Sequence, residues 1–110
     1  MISFDLYVQE GCVSAELRPD IEAALGPVCI EVLGENAGPV EFSWTEIRKG
    51  FGFRGGRPST TSLVRSRIPD GCDRATRARF LRSLGDEWCR ITGATEHEVV
   101  VSARDWSWTG

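Results

Sequence analysis

The sequence predicts an α+β domain made of two β-α-β units, forming a four-stranded mixed sheet with two helices on one face. Three observations predict it. Ile2, Phe4, Leu6 and Val8 alternate with polar residues at the two-residue period of a half-buried strand. Leu17, Ile21, Leu25, Val28 and Val32 then recur at helical spacing. The cysteine pair Cys12 and Cys29 returns as Cys72 and Cys89, a shift of 60 residues that also carries Gly11 onto Gly71 and Ala15 onto Ala75. At 110 residues the chain is one domain, 1–110, with internal repeats at about 2–56 and 62–110.

The elements follow in order. A strand over Ile2–Gln9 ends at the turn Glu10-Gly11, and the first helix runs to a stop at Gly34, with Gly26-Pro27 expected to kink or split it. Val40, Phe42 and Trp44 alternate into a second strand ending near Thr45. Gly50 to Pro58 is glycine-rich and reads as a loop or short hairpin between the halves. Leu63–Ile68 is a third strand, Pro69-Asp70-Gly71 a turn, and Asp73 a candidate N-cap. Phe80, Leu81, Leu84, Trp88 and Ile91 mark a second helix that stops at Gly93, and Val99-Val100-Val101 opens the last strand. A strand–helix–strand unit joins parallel strands by a right-handed crossover. The face of the sheet away from the helices is expected to be too apolar to stay wet, which predicts oligomerisation.

Charge is segregated along the chain. Residues 1–47 carry net −8, residues 48–82 net +8, and residues 83–110 net −3, and twelve of the thirteen cations are arginines. Arginine clamps carboxylates and phosphates in a bidentate way. The acidic first segment argues against a nucleic-acid partner, and the basic segment is expected to meet acidic neighbours across a sheet or subunit boundary. No apolar run is long enough for a membrane span and no signal peptide precedes the first strand, so the expected location is cytoplasmic. With no CxxC and a single histidine, His97, the sequence predicts neither a zinc site nor another metal, and no cofactor. The cysteines read as reduced packing residues. A helix N-terminus that lowers a thiol pKa at Cys12 or Cys72 is the alternative.

Several motifs resemble one family. The run Thr45-Glu46-Ile47-Arg48-Lys49-Gly50-Phe51-Gly52-Phe53-Arg54-Gly55-Gly56 resembles the C-terminal segment of 4-oxalocrotonate tautomerase subunits. The tail Asp105-Trp106-Ser107-Trp108-Thr109-Gly110 resembles the ending of the malonate semialdehyde decarboxylase-like branch, and Glu10-Gly11 matches the Glu-Gly that closes the family's first strand. The sequence thus resembles the tautomerase superfamily. The resemblance implies a homo-oligomer, with a trimer favoured. It also implies a pocket near the start of the first strand, where an amino-terminal proline acts as acid or base on small keto and enol acids held by arginines.

Three departures bear on that chemistry. The proline position falls on Ile2, with Met1 as one extra residue; the arginine that follows Glu-Gly in the family is Cys12; and the second-strand arginine aligns with Glu41. A bulky Ile2 disfavours removal of Met1, so a primary α-amine is expected there, and such amines titrate at about 7.7–8.0. Met1 and Glu41 are therefore the candidate catalytic acid–base groups. Arg65 and Arg67, two apart on one strand face, are candidate ligands of a substrate carboxylate, with an edge-strand or interface charge pair as the alternative. Phe51, Trp106 and Trp108 are candidate lining residues. The sequence therefore predicts a proline-independent isomerase or lyase acting on a small anionic or enolisable organic ligand. The alternative is a non-catalytic binding or assembly subunit of the same fold.

Overall fold

The computed structural model describes residues 1–109; Gly110, the last residue of the tail motif, lies outside them. Strand β1 (Ile2–Gln9) leads through a single 3-10 turn at Ala15–Leu17 into helix α1 (Arg18–Leu33). Strand β2 (Val40–Ile47) follows, then a short hairpin of β3 (Phe53–Arg54) and β4 (Arg57–Pro58). The second unit runs β5 (Ser62–Ile68), helix α2 (Arg74–Thr92) and β6 (Val99–Asp105). The main sheet has the order β2-β1-β5-β6. β1 pairs parallel with β2, β5 parallel with β6, and the two units meet along an antiparallel β1–β5 seam.

Both helices pack on one face because each strand sends alternate residues there. Ile2, Phe4, Leu6 and Val8 of β1 and Val64 and Ile68 of β5 are buried against Ile21, Leu25, Phe80, Leu84 and Trp88. Phe4 stacks on Phe42 with ring centroids 5.1 Å apart, and Trp44 on Trp88 at 6.2 Å. Helix α2 starts where Asp73 accepts the backbone N–H of Thr76 at 2.7 Å and ends at Gly93, whose φ of 75° is the left-handed conformation that glycine takes without strain.

Helix α1 runs through Gly26-Pro27 as one continuous helix, so of the expected kink or split the split does not occur. Pro27 is exposed, so the carbonyl four residues earlier, on exposed Ala23, is left to water and not to the core. The open face of the sheet is apolar only at one end, less than expected. It carries Ser3, Asp5, Tyr7 and Gln9 from β1, Glu41, Ser43, Thr45 and Ile47 from β2, Leu63, Arg65 and Arg67 from β5, and Val100, Ser102 and Arg104 from β6. Most apolar positions of the strands turn to the helices, so this face is polar except at its hairpin end, where Ile47, Leu63 and Val100 lie together. Its charge is graded, acidic toward β2 and basic toward β6.

β5 is a central strand, which removes the edge-strand reading of Arg65 and Arg67. The basic and acidic segments do not pair within the chain. The ion pairs among the described residues are Arg18–Glu46, Arg77–Asp105, Arg90–Glu87 and His97–Glu96, and none joins residues 48–82 to residues 1–47. Among the described residues, no helix is long and apolar enough to cross a membrane.

Candidate functional site

Parallel pairing aligns the start of β1 with the start of β2, and the antiparallel seam brings in the end of β5. Ser3 is therefore the register partner of Glu41 on one side and of Arg67 on the other, and Arg67 is paired in turn with Arg104 of β6. One row across the open face thus reads Glu41, Ser3, Arg67, Arg104. The next row reads Ser43, Asp5, Arg65, Ser102. Period-two alternation keeps these side chains on the same face.

The tail completes this end of the sheet. The backbone N–H of Trp106 donates to the Ile68 carbonyl at 3.0 Å, and its indole Nε1 donates to the Met1 carbonyl at 2.7 Å. The Arg67 guanidinium lies over the Trp106 ring, 5.1 Å from its centroid, and the Arg104 guanidinium over the Trp108 ring at 5.5 Å. Arg65 lies over Tyr7 at 5.8 Å. Such stacks hold a guanidinium by its face and leave its in-plane N–H edge free. The Nε of Arg67 is buried and has no hydrogen-bond acceptor.

Two clamps fix the tail's path. Arg77 of α2 donates to the Ala103 carbonyl and to Asp105 Oδ1, both at 2.7 Å. Asp105 therefore acts as an ion-pair anchor for the tail. Asp70, in the turn after β5, accepts the Ser107 backbone N–H at 3.1 Å, and its hydrogen bonds with Ser107 hold its carboxyl below the usual range.

The Met1 amine donates to the Ala37 carbonyl at 2.7 Å. Its seat depends on Gly38, whose φ is +95° and whose missing Cβ would stand 2.6 Å from the Met1 nitrogen. Ile2, at the family's proline position, is wholly buried against the helices, so its side chain takes no part in the open face.

The structure therefore brings together Met1, Arg67 and Trp106, with Glu41 in the same sheet row and Arg65 and Trp108 alongside. Glu41 is exposed and sits two strands from Arg67. Phe51 is elsewhere. It lies beyond the far end of β2, under the Arg48 guanidinium at 5.8 Å, and is 74% exposed. The eight residues of β2 put about 20 Å between the two ends. At that far end a cleft of about 640 Å³ opens between the hairpin and the sheet, lined by Ile47, Phe53, Leu63 and Val100 among others.

The thiols do not line the row. Cys12 is exposed and precedes α1 by a whole 3-10 turn, which leaves it away from a helix N-terminus. Burial pushes the Cys72 thiol up, and pushes that of Cys29 up to about 11. Sequence reasoning missed Arg104 and Gly38. Arg104 was legible, because continuing the alternation of Val99, Val101 and Ala103 places it opposite the helices. Gly38 had no local signal.

No family model matches the sequence, and neither does any curated protein sequence. Solved structures do. Native Ps01740 superimposes with a TM-score of 0.86 at 26% identity, covering 98% of each chain. Pt0534 inactivated by 2-oxo-3-pentynoate gives 0.82 at 20% identity over 94% of this chain and 85% of that one. A fused 4-OT, a wild-type symmetric trimer, gives 0.81 at 17% identity over 94% of this chain and 84% of that one. In strand order, helix placement and nearly full-length superposition, this chain has the tautomerase-superfamily fold that its motifs resemble.

Proposed function

We propose that the chain is a tautomerase-like enzyme, of isomerase or lyase type, acting on a small or medium-sized keto or enol acid without an amino-terminal proline. One observation carries this reading: Arg67, Trp106 and Met1 meet at the start of β1, in the sheet row that also holds Glu41. Arg67, with Arg65 beside it, binds the substrate carboxylate and draws charge onto the developing enolate oxygen. Glu41 or the Met1 amine then moves the proton at the adjacent carbon. The amine donates one hydrogen to the Ala37 carbonyl and, when neutral, keeps a lone pair for this task. Trp106 and Trp108 line the site.

The working unit is a homotrimer, as for the fused 4-OT. Phe51 then serves a neighbouring copy's site, since it stands at the wrong end of its own sheet. The largely polar, charge-graded open face supports such an assembly through complementary charge, with Ile47, Leu63 and Val100 adding apolar contact at its hairpin end.

The test joins turnover to labelling. Enol acids are assayed for ketonisation with wild type, Arg67→Ala and Glu41→Gln, and native mass spectrometry gives the oligomeric state. The reagent 2-oxo-3-pentynoate, which inactivates Pt0534, offers a carboxylate for Arg67 and an electrophilic alkyne for an amine. An adduct on the Met1 peptide that is lost in Arg67→Ala supports the site. Absence of both turnover and adduct favours the second reading, a non-catalytic binding or assembly subunit. That reading draws on Ile2, which buries an isoleucine where the family keeps its proline.

A further inference from the structure

A cavity of about 290 Å³ lies on the helix side of the sheet, past the end of β1 that is remote from Met1. Cys12 lines it from the turn after β1, Thr60 and Ser62 from the entry to β5, Thr92 and Gly93 from the end of α2, and Glu98 from the turn before β6. It shares no residue with the open-face site. Ser62 is on the helix-facing side of β5 with Val64 and Ile68. It is only 2% exposed, lines the cavity, and its hydroxyl has no hydrogen-bond partner among the described residues. A buried hydroxyl with no protein partner finds one in what the cavity holds. Among the lining residues Glu98 alone is charged. Hydrogen bonds from the Thr95 backbone N–H at 3.0 Å and the Thr60 hydroxyl at 3.1 Å hold its carboxyl below the usual range, so it is ionised. The last carbonyls of α2 add partial negative charge at the same place. The cavity therefore favours a cation.

The 60-residue repeat gives this cavity a counterpart of about 370 Å³ at the end of α1, lined by Cys72. There the thiol is half-buried and pushed up by burial, and the carboxylates beside it are engaged, Asp70 by Ser107 and Asp73 by Thr76. Cys12 is exposed, so of the two cavities its own is the one with an accessible thiol. We propose that the Cys12 cavity is a thiol–disulfide exchange site for a small amine-bearing disulfide. Cys12 loses its proton to solvent and its thiolate attacks one sulfur of the disulfide. A new Sγ–S bond forms as the old S–S bond breaks, and the second half leaves as a thiolate that takes up a proton, so no outside oxidant is consumed. The bound half stays in the cavity as a mixed disulfide, its ammonium donating to Glu98 and to the Ser62 hydroxyl oxygen. A carboxylate-bearing disulfide meets the same charges as repulsion.

The experiment follows adduct formation on the full chain by intact-protein and peptide mass spectrometry with three symmetrical disulfides: cystamine, which is cationic, hydroxyethyl disulfide, which is neutral, and dithiodiglycolate, which is anionic. N-acetylcysteine is the reference thiol for the reagents' intrinsic reactivity. Relative to it, Cys12 takes cystamine about fivefold or more faster than hydroxyethyl disulfide, and dithiodiglycolate slowest. Glu98→Gln keeps a side chain that accepts from Thr95 and brings the three relative rates to within about twofold. Ser62→Ala slows cystamine alone, by about twofold or more. Cys12→Ser forms no early adduct. Thermal melting shows that each variant is folded. In wild type, raising salt from about 0.02 M to about 0.5 M shrinks the cystamine preference, a readout that depends on no variant.

The same order of rates for Cys12 as for the reference thiol overturns the inference and leaves Cys12 an ordinary surface thiol. A cystamine preference that survives high salt, or that survives both Glu98→Gln and Ser62→Ala, overturns it as well, because the cavity then plays no part. A first adduct on Cys72 or Cys89 assigns the exchange to another thiol and overturns it too.

Discussion

The indole Nε1 of Trp106 donates to the backbone carbonyl of Met1 at 2.7 Å, joining residues 105 positions apart. The last element of the chain thereby latches onto the first, at the point where Arg67 is also held. Trp106→Phe keeps a ring face for the guanidinium and deletes only the hydrogen bond. It should cost about 0.5–1.5 kcal/mol, read as a drop of several degrees in Tm. Trp106→Ala loses the stacking as well and should cost more in the same melt.

Gly38 and Gly85 should respond to alanine with opposite signs. At Gly38 a Cβ meets the Met1 nitrogen at 2.6 Å and the backbone φ is +95°, so Gly38→Ala should destabilise by more than about 1 kcal/mol. It should also displace the amine from the Ala37 carbonyl and change the rate at which an amine-directed reagent labels Met1. Gly85 lies inside α2, where an added methyl group would find nothing within 4 Å, so Gly85→Ala should stabilise by roughly 0.5–1 kcal/mol. Chemical denaturation of both variants checks the pair.

Acid should loosen the tail before the core. Hydrogen bonds from Ser107 hold the Asp70 carboxyl below its ordinary 3.8, and those from Thr76 do the same for Asp73. A carboxyl depressed in the folded state adds stability that is fully present above its unfolded value and is lost as pH falls through its folded value. Tryptophan emission followed downward from about pH 5 should therefore change below 3.8. Asp70→Ala should already show the loosened tail signal at neutral pH and lose that acid-dependent step.

The four thiols should alkylate in the order of their surroundings. Cys12 is exposed, whereas burial pushes the buried Cys29 thiol up to about 11 and raises Cys72 and Cys89 as well. The thiolate is the reactive form. Mass spectrometry after brief iodoacetamide treatment of the native protein at about pH 8 should find Cys12 modified first. Cys29 should react only on unfolding. Early labelling of Cys29 would contradict the packing described for α1.

The fold was legible because its information is periodic. Alternation in Ile2–Gln9 and Leu63–Ile68, helical spacing through Trp88, and the caps at Asp73 and Gly93 each act within a few residues and do not depend on the rest of the chain. What was misread depended on distance. Pro27 predicts a kink or a split, and the helix escapes the split because Pro27 and Ala23 lie on its exposed side, which only the placement of α1 on the sheet decides. How apolar the open face is depends on the register, which gathers Ile47, Leu63 and Val100 at one end and leaves the rest polar.

The site was half legible. Arg65 and Arg67 were visible as a same-face pair, and Trp106 as a motif. The partnership of Arg67 with Arg104, and of Met1 with Ala37 and Gly38, arises from strand register and loop closure, which no local pattern encodes. Phe51 depends on distance too: its motif groups it with the tail tryptophans, and within one chain a strand length separates them.

The antiparallel β1–β5 seam has one more consequence. Among the described residues it is the only line in the main sheet along which the two units pair, and β5 contributes Val64, Ser66 and Ile68 to the core on one side and Arg65 and Arg67 to the site on the other. A slip of one residue along that line would exchange the two sets, driving two guanidiniums into the interior and turning two aliphatic side chains outward. Errors in joining the halves are therefore self-rejecting. A chain that closes this seam with its arginines facing out has, in the same step, chosen both its native alignment and the face that presents its guanidiniums.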